Sequence, residues 1–101
     1  MNIKIDDSVL ICPHCRGDYM HHDMVEIYNR SEDKNWDRIS VSTCNEMSGD
    51  NKYELSIDQK GINPSGRRSG IRIIFSCEQC EHLSKLVVYQ HKGQTFMEWE
   101  K

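Results

Sequence analysis

Cys12-Pro13-His14-Cys15 and Cys77-Glu78-Gln79-Cys80 decide how this chain is built. Each is a C-x-x-C turn that sends two sulfurs to one side. Two such turns face to face supply the tetrahedral set of four thiolates that Zn²⁺ accepts at about 2.3 Å per bond. Two other readings compete. Disulfides need an oxidising compartment, yet residues 1–11 lack the basic start and apolar stretch of a secretory leader, and the fifth cysteine, Cys44, would stay unpaired. A redox C-x-x-C opens a helix in a βαβ setting, whereas the flanks here, Val9-Leu10-Ile11 and Ile71-Arg72-Ile73-Ile74-Phe75, read as strands. The expectation is one structural Zn²⁺ per chain on Cys12, Cys15, Cys77 and Cys80. A closed four-cysteine site has no open position for substrate, so the ion would hold the fold and not activate water. Its binding free energy, of order 10–16 kcal/mol in small zinc domains, would be folding free energy.

Outward from the two turns, 61 residues (16–76) separate the pairs, against the roughly 15–20 of a compact double C-x-x-C module. That interval must carry structure of its own. Residues 2–6 and Val9-Leu10-Ile11 read as short strands, and residues 19–28 are rich in aromatic and β-branched side chains. A first hairpin with the cysteine turn at its tip follows. After a polar turn at 29–35, residues 36–43 alternate Ile39 and Val41 against Arg38, Ser40 and Ser42. A second turn, at 44–51, leads to residues 52–58, with Tyr53, Leu55 and Ile57 inward against Lys52, Glu54, Ser56 and Asp58. An antiparallel sheet with one wet face fits this pattern. Residues 60–70, with Gly61, Pro64, Gly66 and Gly70, form a long loop. Residues 71–75, the second cysteine turn and residues 84–90 make a second hairpin, and His91-Lys92-Gly93-Gln94 turns the chain into a last strand at 95–99. No amphipathic helix is expected.

Two hairpins, each presenting a cysteine pair, resemble the zinc-ribbon class. Cys12-Pro13-His14-Cys15-Arg16-Gly17 looks like the C-P-x-C-x-G form often seen there, with Arg16 where a glycine usually follows the second cysteine. More narrowly, Tyr19-Met20-His21-His22 and Gln90-His91-Lys92-Gly93-Gln94-Thr95-Phe96-Met97-Glu98-Trp99 look like a set of small bacterial and phage-type zinc-ribbon proteins. That resemblance spans most of the chain and carries over no functional residue, because no activity is established for the set. The expected fold is all-β: a zinc ribbon with two knuckle-bearing β-hairpins and an antiparallel β-sheet insert over 36–58, in one domain covering 1–101.

At 101 residues and 11.9 kDa, with 37% hydrophobic and 29% charged residues, the chain can bury only a modest core. No apolar run approaches the roughly 20 residues of a membrane-spanning helix, so a cytoplasmic protein without membrane contact is expected. The formal charge is −3, and four thiolates on one Zn²⁺ would take it to about −5. This balance disfavours a generally basic nucleic-acid binder. The charge is uneven, however: residues 1–58 sum to −6 and residues 59–101 to +3. Residues 59–76 hold Lys60, Arg67, Arg68 and Arg72 and no acidic side chain. These four are the candidate partner-binding residues. They suit an acidic protein surface, or nucleic-acid phosphates with Tyr89 or Trp99 stacking a base. A solvated loop is the plainer alternative.

His21-His22-Asp23, with His91, could hold a second metal or move protons, but adjacent histidines in a strand face opposite sides and cannot chelate locally. His14 and His82 flank the cysteines and are expected beside the site, not on the ion. Cys44 reads as a small buried group, and Trp36, Phe96 and Trp99 as core or rim packing. The expected function is therefore a non-enzymatic, zinc-stabilised binding module for a protein partner, an adaptor or inhibitor of the kind mobile elements carry. A nucleic-acid-binding ribbon using loop 60–72 is the alternative, and a metalloenzyme on His21, His22 and His91 the second. Oligomeric state is left open, with the strands at 52–58 and 95–99 as the candidates for pairing with a second copy.

Overall fold

The computed structural model describes residues 2–30, 35–45, 51–66 and 68–100, and their side chains except at 43–45 and 51–53. Arg67, the Cys44 side chain and most of both expected turns lie outside the described residues. The fold is all-β: β1 (Ile5–Asp6), β2 (Val9–Leu10), β3 (Met20–Asn29), β4 (Asp37–Asn45), β5 (Asn51–Asp58), β6 (Gly70–Cys77), β7 (Leu83–His91) and β8 (Gln94–Trp99). β1 and β2 pair as a two-stranded ribbon, and the other six form one antiparallel sheet in the order β5-β4-β3-β6-β7-β8. No helix among the described residues is long and apolar enough to cross a membrane.

One expectation needs correction. The first cysteine turn does not tip a hairpin of 9–11 with 19–28, because β2 pairs with β1, Ile5 opposite Leu10, while β3 lies between β4 and β6. A strand has two hydrogen-bonding edges, and the longer ladders to β4 and β6 occupy both on β3. The insert at 36–58 is antiparallel, as expected. β4 and β5 add onto β3 and widen the same sheet. The second hairpin stands as expected, with Ser76 opposite Leu83 and the second cysteine turn at its tip. The strands at 52–58 and 95–99 are the two sheet edges, as the terminal places of β5 and β8 show.

Directly opposed residues share a face, so the register reads out both surfaces. One face carries two uninterrupted apolar rows across all six strands: Ile57-Ile39-Ile27-Ile71-Val88-Met97 and Leu55-Val41-Val25-Ile73-Leu86-Trp99. The other carries Ser56-Ser40-Glu26-Arg72-Val87-Glu98 and Asp58-Arg38-Tyr28-Gly70-Tyr89-Phe96. The polar face is the better covered of the two. Tyr28, Glu26, Ser40 and Arg72 are buried there, whereas Leu55 is 62% and Ile57 69% exposed. The alternation in β5 places its side chains correctly, yet nothing in the described chain packs on the side expected to be inward.

What covers the polar face is the loop 59–69. A Cβ on Gly61 would stand 2.5 Å from the Tyr28 hydroxyl, and one on Gly70 would stand 2.6 Å from Asn63 and 2.7 Å from Pro64. Asn63 and Ser65 are buried within the loop: Asn63 donates to the Arg68 carbonyl and accepts from the Ser65 N–H, and the Ser65 hydroxyl donates to the Gln90 carbonyl. These bonds fasten the loop to the sheet, which the glycine-rich sequence alone did not suggest. Beneath it, Arg72 donates to Glu100, Glu26 and the Tyr28 hydroxyl, and Arg38 holds Asp58 through two bonds of 2.9 Å while reaching Glu26 at 3.2 Å.

Candidate metal centre

Cys12 and Cys15 follow the β1–β2 ribbon; Cys77 ends β6, and Cys80 stands in the turn before β7. Their four sulfurs lie within 4.8 Å of one another, with Cys12 Sγ 3.7 Å from Cys80 and Cys15 Sγ 3.5 Å from Cys77. A disulfide would hold two sulfurs near 2.05 Å, and all four thiols are free. Four sulfurs at 2.3 Å around one tetrahedral ion sit about 3.8 Å apart, so the cluster matches the size of a metal site.

The two turns are built alike. The Cys12 N–H donates to the Gly17 carbonyl and the Arg16 N–H to the Cys12 carbonyl; in the second turn Cys77 pairs with His82 and Glu81 with Cys77 in the same way. Backbone N–H groups also point at the sulfurs, His14 onto Cys12 and Gly17 onto Cys15, each at 3.4 Å. The Cys80 and Gln79 N–H groups bring the Cys77 thiol down to about 7. The His82 N–H favours the Cys80 thiolate, but burial and the neighbouring thiols outweigh it and push that thiol up to about 12. A metal-free cluster therefore ionises one sulfur readily and resists further ionisation. That charge imbalance is what a divalent cation relieves.

The turns are tied to the sheet and to each other. The Glu78 N–H donates to the Tyr19 carbonyl, and the His14 and His82 rings stack across the site at 4.7 Å. Trp99, 1% exposed, shares a cleft with Ile11, Cys12 and Pro13 and meets the Phe75 ring edge-on at 5.8 Å. A second cleft, of about 260 Å³, opens beside it between Pro13, His14, Leu83 and Ser84.

The other sequence-derived candidates are not brought together. His21 bonds Glu78 beside the second turn, His22 lies against Phe75, and His91 ends β7 against Phe96. His91 is eight residues along β7 from Leu83, roughly 27 Å from the turn end. Of the basic set, Lys60 is exposed, Arg68 is half-buried and Arg67 lies outside the described residues. Arg72 is a correction: it is buried with its guanidinium held by Glu26, Tyr28 and Glu100, so it is not free for a phosphate. Trp99 is too enclosed to stack a base. Tyr89 is half-buried, stacks on Phe96 at 5.4 Å and donates to Glu98. Sequence reasoning missed Glu26, Tyr28, Arg38, Asp58 and Glu100, whose association depends on strand register. Comparison with protein-family models, with curated proteins and with solved structures finds no match for this chain.

Proposed function

We propose that this chain is a non-enzymatic β module, held together by one structural Zn²⁺ on Cys12, Cys15, Cys77 and Cys80, that works by docking a protein partner. The carrying observation is the pair of apolar rows that cross all six strands without a charged side chain. An apolar face of this extent is the mark of a protein contact surface. The closed sulfur set stabilises the sheet that presents this face, and loop 59–69 seals the opposite side. An adaptor or inhibitor role fits a scaffold that offers such a surface.

The test has two parts. Protein purified without added metal should contain one zinc per chain and lose its β spectrum on chelation; a folded chain indifferent to chelators ends the structural-zinc reading. A photo-reactive side chain at position 57 should give protein adducts in cells, and one at position 56, on the opposite face, should not. Equal adducts, or none, end the docking-face reading.

A second reading, nucleic-acid binding by loop 60–72, rests on the absence of any carboxylate between residues 59 and 76. It calls for salt-dependent DNA or RNA binding that weakens when Lys60 and Arg68 become alanine. No binding at low salt removes it.

A further inference from the structure

We infer that a second copy of this chain covers the apolar face, so that two sheets stack into a two-layer β-sandwich. This rests on the docking-face reading above and names its occupant. Domains bury a sheet by packing a second layer on its apolar face, and in this chain the described layer stands alone. Loop 59–69 is spent on the polar face. Among the described residues, the N-terminal segment and the first cysteine turn lie at the Trp99 end, and Leu86 and Trp99 are buried while Leu55, Ile57, Ile27 and Met97 are exposed.

The chemistry of the two rows narrows the occupant. Twelve opposed positions carry Ile, Val, Leu, Met and Trp and no charged group. A partner bearing charge would lose its hydration there without compensation. The complementary surface is therefore flat, apolar and uncharged, and a second copy presents that surface at the same size. Two-fold symmetry then makes every contact twice. Along one border stand Asn29, Asp37, Gln90 and Thr95, a polar rim around an apolar centre.

Area supports the same occupant. Six strands at about 4.8 Å spacing give a width of roughly 29 Å, and the two rows with one flanking row on each side cover roughly 20 Å of strand. Each copy thus contributes about 600 Å², and the pair about 1,200 Å², which enters the range of specific protein interfaces. On a monomer the same patch would sit at the upper limit of what soluble chains leave exposed. Face-to-face packing at about 10 Å, with strands near −30° to each other, is the geometry such sheets adopt.

The experiment is sedimentation equilibrium of the zinc-loaded full chain across a dilution series. The expected mass is twice the 11.9 kDa chain mass. Leu55→Asp and Ile57→Asp should each raise the dissociation constant by more than about tenfold, since each buries a charge in an apolar contact. Ser56→Asp, on the same strand but the opposite face, should leave it unchanged. Leu55 and Ile57 are 62% and 69% exposed, so the single chain tolerates both changes, which zinc content and circular dichroism verify. The unsubstituted protein gives an independent reading: mixed labelled and unlabelled chains should show intermolecular contacts between the methyl groups of Ile39, Ile57 and Val88. Lack of those contacts, or a dimer that both aspartate variants retain, overturns the inference and points to pairing at the β5 or β8 edge. A monomer that still gives position-57 adducts with another protein overturns it while leaving the docking face in place. A monomer without adducts overturns both.

Discussion

Arg16 and Glu81 occupy the same place in the two cysteine turns. Each follows the second cysteine of its pair, each has a left-handed backbone, φ +63° and +60°, and each donates its N–H at 3.0 Å to the carbonyl of the first cysteine. A residue with a Cβ pays about 1–2 kcal/mol for that conformation. Position 16 thus keeps, without a glycine, a backbone conformation that favours one. Arg16→Gly and Glu81→Gly should each stabilise the zinc-loaded protein by about 0.5–1 kcal/mol, the strain relieved less the extra backbone entropy of glycine. Urea midpoints measure this, and a loss of stability in both variants would contradict the shared turn.

Gly61 presents the opposite situation. Its φ is +83°, and an added Cβ would lie 2.5 Å from the Tyr28 hydroxyl and 2.9 Å from the Arg38 guanidinium, groups that the sheet holds in place. Gly61→Ala should cost about 2–3 kcal/mol through strain and displacement of the loop, with zinc stoichiometry unchanged. Wild-type stability in this variant would mean that the loop does not rest on Tyr28.

Glu26 bridges the two arginines, Oε1 to Arg72 and Oε2 to Arg38, each at 3.2 Å. Its replacement by glutamine leaves Arg38 with Asp58 and Arg72 with Glu100, and each guanidinium loses one charged hydrogen bond inside the sheet. The expected loss is about 1.5–3 kcal/mol. Glu26→Leu combined with Arg72→Met should recover most of it, because removing both charges also removes the desolvation cost. A double-mutant cycle reads the coupling, and additive effects would rule out a working pair.

The Arg38 guanidinium, with help from the Lys60 N–H, holds the Asp58 carboxyl below the usual carboxylate range. A depressed carboxyl stabilises the fold above its unfolded value, near pH 3.9, and this contribution is lost as pH falls through the lower folded value. Asp58→Asn should therefore flatten the pH dependence of stability below about pH 4. An unchanged acid limb in urea titrations would place the sensitivity elsewhere.

The strand positions were largely legible in the sequence because apolar alternation and turn chemistry are local signals. So were the four cysteines, whose spacing within each pair is enough to aim two sulfurs together. Neighbour relations were not. Glu26 and Arg72 are 46 residues apart and meet only because β3 takes β6 on one edge and β4 on the other. The same pairing carries Ile57 and Met97 into one row. Nor could alternation tell which face would be covered: Leu55 and Ile57 are apolar yet exposed, while Arg72 is charged yet buried.

Zinc uptake should be tightly coupled to pH. In the metal-free cluster the Cys77 thiol sits near 7, so its thiolate is present above that pH and lost as pH falls through it, while Cys80 stays protonated up to about 12. Cys15 is also raised: the Gly17 N–H favours its thiolate, but burial and the bond with Cys77 together outweigh that donor. Binding a divalent ion through Cys15, Cys77 and Cys80 as thiolates at pH 7 must then expel about two to three protons from these three sulfurs. Zinc affinity should fall by more than about a hundredfold for each pH unit below 7, since every proton released contributes one decade. Calorimetric titration of metal-free protein in buffers of different ionisation enthalpy counts these protons directly. Release of fewer than about two would mean that fewer than four cysteines bind the ion as thiolates.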